Sequence, residues 1–189
     1  MSLLTTPSQT AGPYLRIGLT PLAVDSIAPP GAPGEHVTIE GRITDGDGKA
    51  VSDAVIEIWQ ADAAGKYAHA EDVRKPTLHA EFRGFGRILT DADGSFRFTT
   101  VKPGSVLGPK GAMQAPHLVV TIFMRGLLRQ LLTRLYFPDD GGNASDPILQ
   151  LVPAARRPTL IARRLPSADQ TLQWNVFLQG ENETVFFDY

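Results

Sequence analysis

Short apolar runs, cut at regular intervals by glycine and aspartate turns, constrain this chain more than any other feature. Val37-Thr38-Ile39-Glu40-Gly41-Arg42-Ile43, Ala54-Val55-Ile56-Glu57-Ile58-Trp59-Gln60 and Ser95-Phe96-Arg97-Phe98-Thr99-Thr100-Val101 are of strand length, and the last alternates strictly. Asp45-Gly46-Asp47-Gly48 and Thr90-Asp91-Ala92-Asp93-Gly94 stand beside them as turns, and Lys102-Pro103-Gly104 closes a third. The same patterning predicts strands at 82–89, 117–124 and 131–137, with short helical pieces at 146–149 and 153–161. The chain holds 18 glycines and 15 prolines, which suit shaped loops and break helices. No long helical period competes. The expected fold is all-β: a β-sandwich core with an N-terminal arm, long loops and short helices. Residues 1–35 are expected to form the arm and 36–189 the sandwich domain.

Bulk properties narrow the function. At 189 residues the chain fits one domain, or one domain with long arms. A formal net charge of -2 gives no support for nucleic-acid or acidic-membrane binding. Cysteine is absent, so disulfides and thiolate metal sites are excluded, which is compatible with a reducing cytoplasm. Residues 1–10 show no basic run leading into an apolar run, so no signal peptide is expected. No stretch approaches the ~20 apolar residues of a membrane helix.

Individual side chains carry more chemistry. Val55, Glu57 and Trp59 share one strand face, and a mid-strand glutamate needs a partner, for which Arg87 is the candidate. Asp45 to Gly48 resembles a calcium loop only superficially, since no ligand series with a closing glutamate follows. The arm segment Thr6-Pro7-Ser8-Gln9-Thr10-Ala11-Gly12-Pro13-Tyr14 is turn-rich and polar. Composition leaves open whether it is loose or laid across a partner. Its Gly-Pro-Tyr offers a rigid bend and a large amphipathic ring. His117 and residue 119 share a strand face, where a His-x-His pair would grip a metal. Residue 119 is a valine, which has no lone pair to donate.

Several runs, in order along most of the chain, resemble the intradiol ring-cleaving dioxygenases. They are Glu57-Ile58-Trp59-Gln60-Ala61-Asp62-Ala63-Ala64-Gly65-Lys66-Tyr67, Phe85-Gly86-Arg87, Thr90 through Gly104, Pro116-His117 and Thr133-Arg134-Leu135-Tyr136-Phe137. The arm and the closing Glu183-Thr184-Val185-Phe186-Phe187-Asp188-Tyr189 resemble the alpha, non-catalytic chain of the family's two-chain members. The resemblance implies an arm that is ordered in the assembly.

In that family the catalytic chain holds Fe(III) with two tyrosines and two histidines. Phenolate oxygens are hard donors suited to ferric iron. A catechol-type substrate chelates the metal and is activated for attack on O2. By the resemblance the four positions fall here at Tyr67, Val106, His117 and Val119, and a catalytic-chain arginine falls at Gln114. Two of four donors are missing, so no metal or other cofactor is expected in this chain. Fe(III) is expected in a beta subunit, within a large hetero-oligomer of alpha–beta protomers acting on a small aromatic substrate and O2. The resemblance also implies that Thr10, Gly12, Pro13, Tyr14 and Arg125 form part of the pocket. Tyr14 and Arg125 are assigned the catalytic contacts, with Arg125 facing a substrate carboxylate.

Blander readings accompany these. His117 and Tyr67 are expected to be packing residues, with a hydrogen bond between them as one option. The bland reading of Arg125 is a solvent-facing charge or an interface ion pair; Arg129 and Arg134 rival it, and the bland reading of Arg134 is simple cover for a sheet edge. Trp59 and Trp174 are read as packing residues, and the Arg156-Arg157 and Arg163-Arg164 pairs as surface or interface charge. Two other functional classes remain: a self-sufficient intradiol dioxygenase with an atypical iron site, and a non-enzymatic β-sandwich assembly protein.

Overall fold

A computed structural model describes residues 4–74, 79, 81–108, 111–138, 140–166 and 170–188. Asp139 and Tyr189, which bounded two of the expected segments, lie outside the described residues.

Eleven strands are described, and nine of them make two facing sheets. In the first, β1 (His36–Thr44) runs antiparallel to β4 (Ser95–Val101) on one side. On its other side it pairs in parallel with β10 (Thr171–Gln173) and β11 (Val176–Phe177). β9 (Arg163–Arg164) adds to β10. The second sheet has the order β3 (Phe85–Leu89), β2 (Val55–Trp59), β7 (His117–Phe123), β8 (Leu131–Tyr136). A small hairpin, β5 (Val106–Leu107) with β6 (Met113–Gln114), stands apart from both.

Alternation decides what each strand buries. Along β7, Leu118, Val120 and Ile122 have no exposed surface, while Val119 and Thr121 are half-buried. The first set joins Ile56 and Ile58 of β2 and Leu135 of β8 in one cluster with Ile39, Ile43, Phe96 and Phe98 of the opposite sheet. That shared core is what makes the two sheets a sandwich. Burying each such isoleucine or leucine stabilises the fold by ~1.5–3 kcal/mol. The remaining positions, including His117, Val119, Arg134 and Tyr136, share the outer face of the second sheet.

The arm is more structured than its composition suggested. Pro13–Leu19 forms a short helix, α1, with Pro13 in its first turn and Gly12 as N-cap. A 3-10 turn follows at Thr20–Leu22. Residues 23–27 then stitch the two sheets together. Val24 N–H donates to Arg87 O (2.8 Å), and Ile27 N–H donates to Thr99 O (2.9 Å). The expected helical pieces are 3-10 turns at Leu149–Leu151 and Ala154–Leu160. β3 begins at Phe85, because Gly84 takes a left-handed φ of 63° just before it.

Candidate functional site

The outer face of the second sheet carries a polar cluster built by strand register. β7 places His117 opposite Tyr136 and Val119 opposite Arg134, and β2 places Trp59 beside Val119. The β5–β6 hairpin sets Val106 opposite Gln114. Arg134 then donates through Nη1 to Gln114 Oε1 (2.6 Å) and to Tyr136 Oη (3.4 Å). Its charge also acts on Tyr67 and on His117. Of the four positions that the resemblance assigned to metal ligands, Tyr67 and His117 feel the Arg134 charge, Val119 lies opposite Arg134, and Val106 lies opposite its partner Gln114. Arg134 stands on the edge strand β8, and its head group bonds Gln114 and Tyr136.

His117 and Tyr67 are held neutral. His117 is only 5% exposed, and its Nδ1 lies 2.7 Å from Ala115 O. A carbonyl oxygen only accepts, so Nδ1 carries the proton and Nε2 keeps the lone pair. Burial, helped by the Arg134 charge, lowers the imidazole pKa to about 4. Burial likewise pushes the Tyr67 phenol up, against the pull of Arg134. Tyr67 stacks flat on Trp59, with ring centroids 5.7 Å apart, and no hydrogen bond joins it to His117 among the described residues. The packing reading of both residues holds, and the Tyr67–His117 bond does not. Behind them, the fully buried Asp146 carboxylate accepts from Tyr136 Oη (3.0 Å) and from the N–H groups of Ala115, Ile148 and Leu149.

This constellation does not fit a ferric ion. Val106 and Val119 offer no donor, and a metal would meet like charge from a fixed guanidinium. Among the described residues, no group of three or more His, Asp or Glu side chains is placed to hold a metal.

On the same sheet, Glu57 accepts from Arg87 Nε at 2.7 Å, as the cross-strand register demands. Trp174 is packed in the core and donates Nε1–H to Thr159 O (3.0 Å). Arg156 pairs with Glu183 at the surface.

A second constellation forms where the arm meets the β7–β8 turn. Thr10 Oγ1 accepts from Gly126 N–H at 2.7 Å. Gly126 has φ 88°, a left-handed conformation that lets the chain reverse directly after Arg125. Arg125 donates Nε–H to Asp53 Oδ2 at 2.5 Å, and its guanidinium makes no other hydrogen bond among the described residues. Arg16 of α1 donates to Ser52 O (2.6 Å) and Thr90 O (2.7 Å). Gln9, Thr10 and Leu15 line one side of a cavity of about 250 Å³, with Met124, Leu128 and Arg129 opposite.

The structure therefore brings Thr10 next to the Arg125 turn, with Gly12, Pro13 and Tyr14 following on the surface. Tyr14 is 82% exposed, and Leu4, Ile17 and Leu22 also present apolar surface to solvent. None of α1 is buried. The three rival arginines separate: Arg125 sits on Asp53, Arg129 lines the arm cavity, and Arg134 belongs to the other cluster. Sequence reading missed Asp53 and Arg16. Asp53 is one of several turn aspartates, and nothing local marks it. Arg134 carried a faint signal, since it alternates with Thr133 and Leu135 on a strand whose other face is core.

A family model described as "Dioxygenase" matches residues 12–180. The chain is 46% identical, over 99% of its length and 98% of the relative's, to the protocatechuate 3,4-dioxygenase alpha chain of Burkholderia cepacia. It is 41% identical to the beta chain from the same organism, over 80% of this chain and 67% of that one. The dioxygenase domain of a dioxygenase carbohydrate-binding fusion from Streptomyces sp. SirexAA-E superposes with a TM-score of 0.62. It covers 86% of this chain and 89% of its own at 24% identity, a likeness of fold.

Proposed function

The chain belongs to the dioxygenase family, on the intradiol ring-cleaving branch, and from that premise we propose that it is the alpha, non-iron subunit of a protocatechuate 3,4-dioxygenase. Its partner is the beta subunit. In the complex, the beta chain's Fe(III) carries the cleavage of protocatechuate by O2 to 3-carboxy-cis,cis-muconate. This chain supplies the facing wall of the pocket.

One observation carries the reading. Two of the four positions that the resemblance assigns to iron are valines, in a chain that matches an alpha chain over nearly all of both lengths. The roles of the wall residues follow from their chemistry. Arg125 has one guanidinium edge on Asp53, which leaves its terminal fork for a carboxylate. Gly12 has an extended backbone, φ -80° and ψ 175°, and a Cβ there would meet nothing within 4 Å. Nothing inside the described chain requires glycine at that place, whereas close approach of a substrate or partner would. Tyr14 offers a ring and a hydroxyl beside that bend. These groups bind and orient the substrate; bond making belongs to the partner's site. The exposed apolar arm suits a face covered by the beta subunit, and further alpha–beta protomers would build the hetero-oligomer.

The test is iron content and protocatechuate-dependent O2 uptake, measured for the chain alone and after co-expression with the beta chain. Iron and turnover only in the co-purified complex are expected. Stoichiometric iron and turnover in the chain alone would overturn the assignment.

A further inference from the structure

Two separate elements make up the proposed pocket wall: the arm, with Tyr14, and the β7–β8 turn, with Arg125. Both are fastened to the same two-residue turn. Arg16 of α1 bonds Ser52 O, and Arg125 bonds the Asp53 carboxylate. That turn is itself rigid. Ala54 N–H donates to Thr90 Oγ1 (3.0 Å), Thr90 N–H returns to Ala54 O (3.2 Å), and Thr90 has no exposed surface. β2 starts at the next residue, Val55. The Thr10–Gly126 bond closes the circuit between arm and turn.

We propose that Asp53 is a positioning residue for substrate recognition: it holds the Arg125 guanidinium by Nε so that the terminal fork meets the carboxylate of a carboxylated catechol. This deepens the pocket-wall reading given above and rests on it. The physical need is plain. Arg125 is 64% exposed in its side chain, and a free arginine there would sample many rotamers and lose that freedom on binding. Asp53, at 21%, is the more buried of the pair, and the next residue, Ala54, is bonded to Thr90. The pair contributes little to stability at such exposure. Its value lies in direction. An Nε contact anchors one edge of the guanidinium and leaves both Nη groups without a hydrogen-bond partner among the described residues.

A competing physical effect has the opposite sign. The Asp53 carboxylate is negative and also repels a substrate carboxylate. If that dominates, removing it tightens binding. The experiment therefore has a signed outcome. In the purified complex, Asp53→Asn is expected to raise KM for protocatechuate about tenfold, with kcat within about twofold, as befits loss of one charge-assisted positioning bond. The affinity of 4-methylcatechol, which lacks the carboxylate, should stay at the wild-type level when read as a competing ligand. Asp53→Glu, which keeps the charge, should recover part of the loss. In an Arg125→Gln background, Asp53→Asn should add nothing further.

An unchanged or lowered KM, an equal loss for 4-methylcatechol, or full additivity with Arg125→Gln would each overturn the proposal. If Arg125→Gln raises KM while Asp53→Asn does not, the positioning role falls and the pocket-wall reading stands. If Arg125→Gln leaves KM unchanged, both fall. Should Asp53→Asn impair assembly, the Asp53→Glu comparison between the two ligands makes the same discrimination.

Discussion

Acidification should destabilise this chain through one buried imidazole. His117 is 5% exposed and its pKa is lowered to about 4, whereas an unfolded histidine titrates near the ordinary value of 6.5. The unfolded state therefore binds the proton more readily than the folded state between these limits. Stability is then present in full above 6.5 and falls as pH drops through the window toward 4. Each unit corresponds to about 1.4 kcal/mol, so the loss is about 2 kcal/mol at pH 5 and about 3 kcal/mol at pH 4. Against a typical total of ~5–15 kcal/mol that is a large share. The assay is denaturant unfolding of wild type and His117→Asn at several pH values from 7 to 4.5. Asparagine keeps an N–H donor for Ala115 O and does not titrate. The difference between the two proteins isolates His117 from every other carboxylate and imidazole. That difference should shrink in favour of the variant as pH falls. A difference flat with pH, or an NMR titration of His117 centred near 6.5, would refute the reasoning.

Two further perturbations separate the roles of the arm and the remnant cluster. Gly12→Ala should change unfolding by about 1 kcal/mol or less, because the residue is an N-cap with open space around it. In the complex the same methyl should cut turnover about tenfold or more, the ~1–3 kcal/mol of an overpacked contact, and unchanged kinetics would remove Gly12 from the pocket. Val106→Tyr with Val119→His restores the two missing donors, yet the complex should gain no second metal by elemental analysis while Arg134 remains. Adding Arg134→Gln should raise the metal content, and a second metal already bound in the double variant would show that the guanidinium is no barrier.

The sandwich was legible because alternation records burial directly. β4 shows it cleanly: Phe96, Phe98 and Thr100 are buried, and Arg97 and Thr99 are exposed. The same parity puts Glu57 on a face where it needs a partner, and Arg87, the candidate, lies directly opposite it. Where nothing is buried, no pattern exists to read. α1 buries no residue, so Pro13-Tyr14-Leu15-Arg16-Ile17-Gly18-Leu19 carries no helical stripe, and the helix is set by Pro13 at its start and by Arg16 fastened to the 52–53 turn. The two-residue strands β5, β6, β9 and β11 are likewise too short to hold a period. They exist because neighbouring backbone offers them partners.

The site divides along the same physical line. Spacing along one strand is local, so His117 and Val119 could be placed on one face from sequence, and the loss of a donor was visible in the residue itself. What fills the space left by a lost donor is not local. Arg134 enters the cluster from the adjacent strand because register sets it opposite Val119 and Gln114 accepts from it. Parity says which face a side chain takes, but not which of two neighbouring strands will supply the charge. Arg125 and Asp53 are further apart still, separated by 72 residues, and only the packing of α1 and the β7–β8 turn onto one rigid turn makes them partners. The two constellations therefore have opposite logic. In the remnant cluster a cation is fixed inward, bonded to Gln114 and Tyr136. At the arm a cation is fixed outward, with its donors left available. A chain with valines at two of the assigned donor positions and a cation held open toward solvent suits the proposed role of completing a neighbour's chemistry rather than its own.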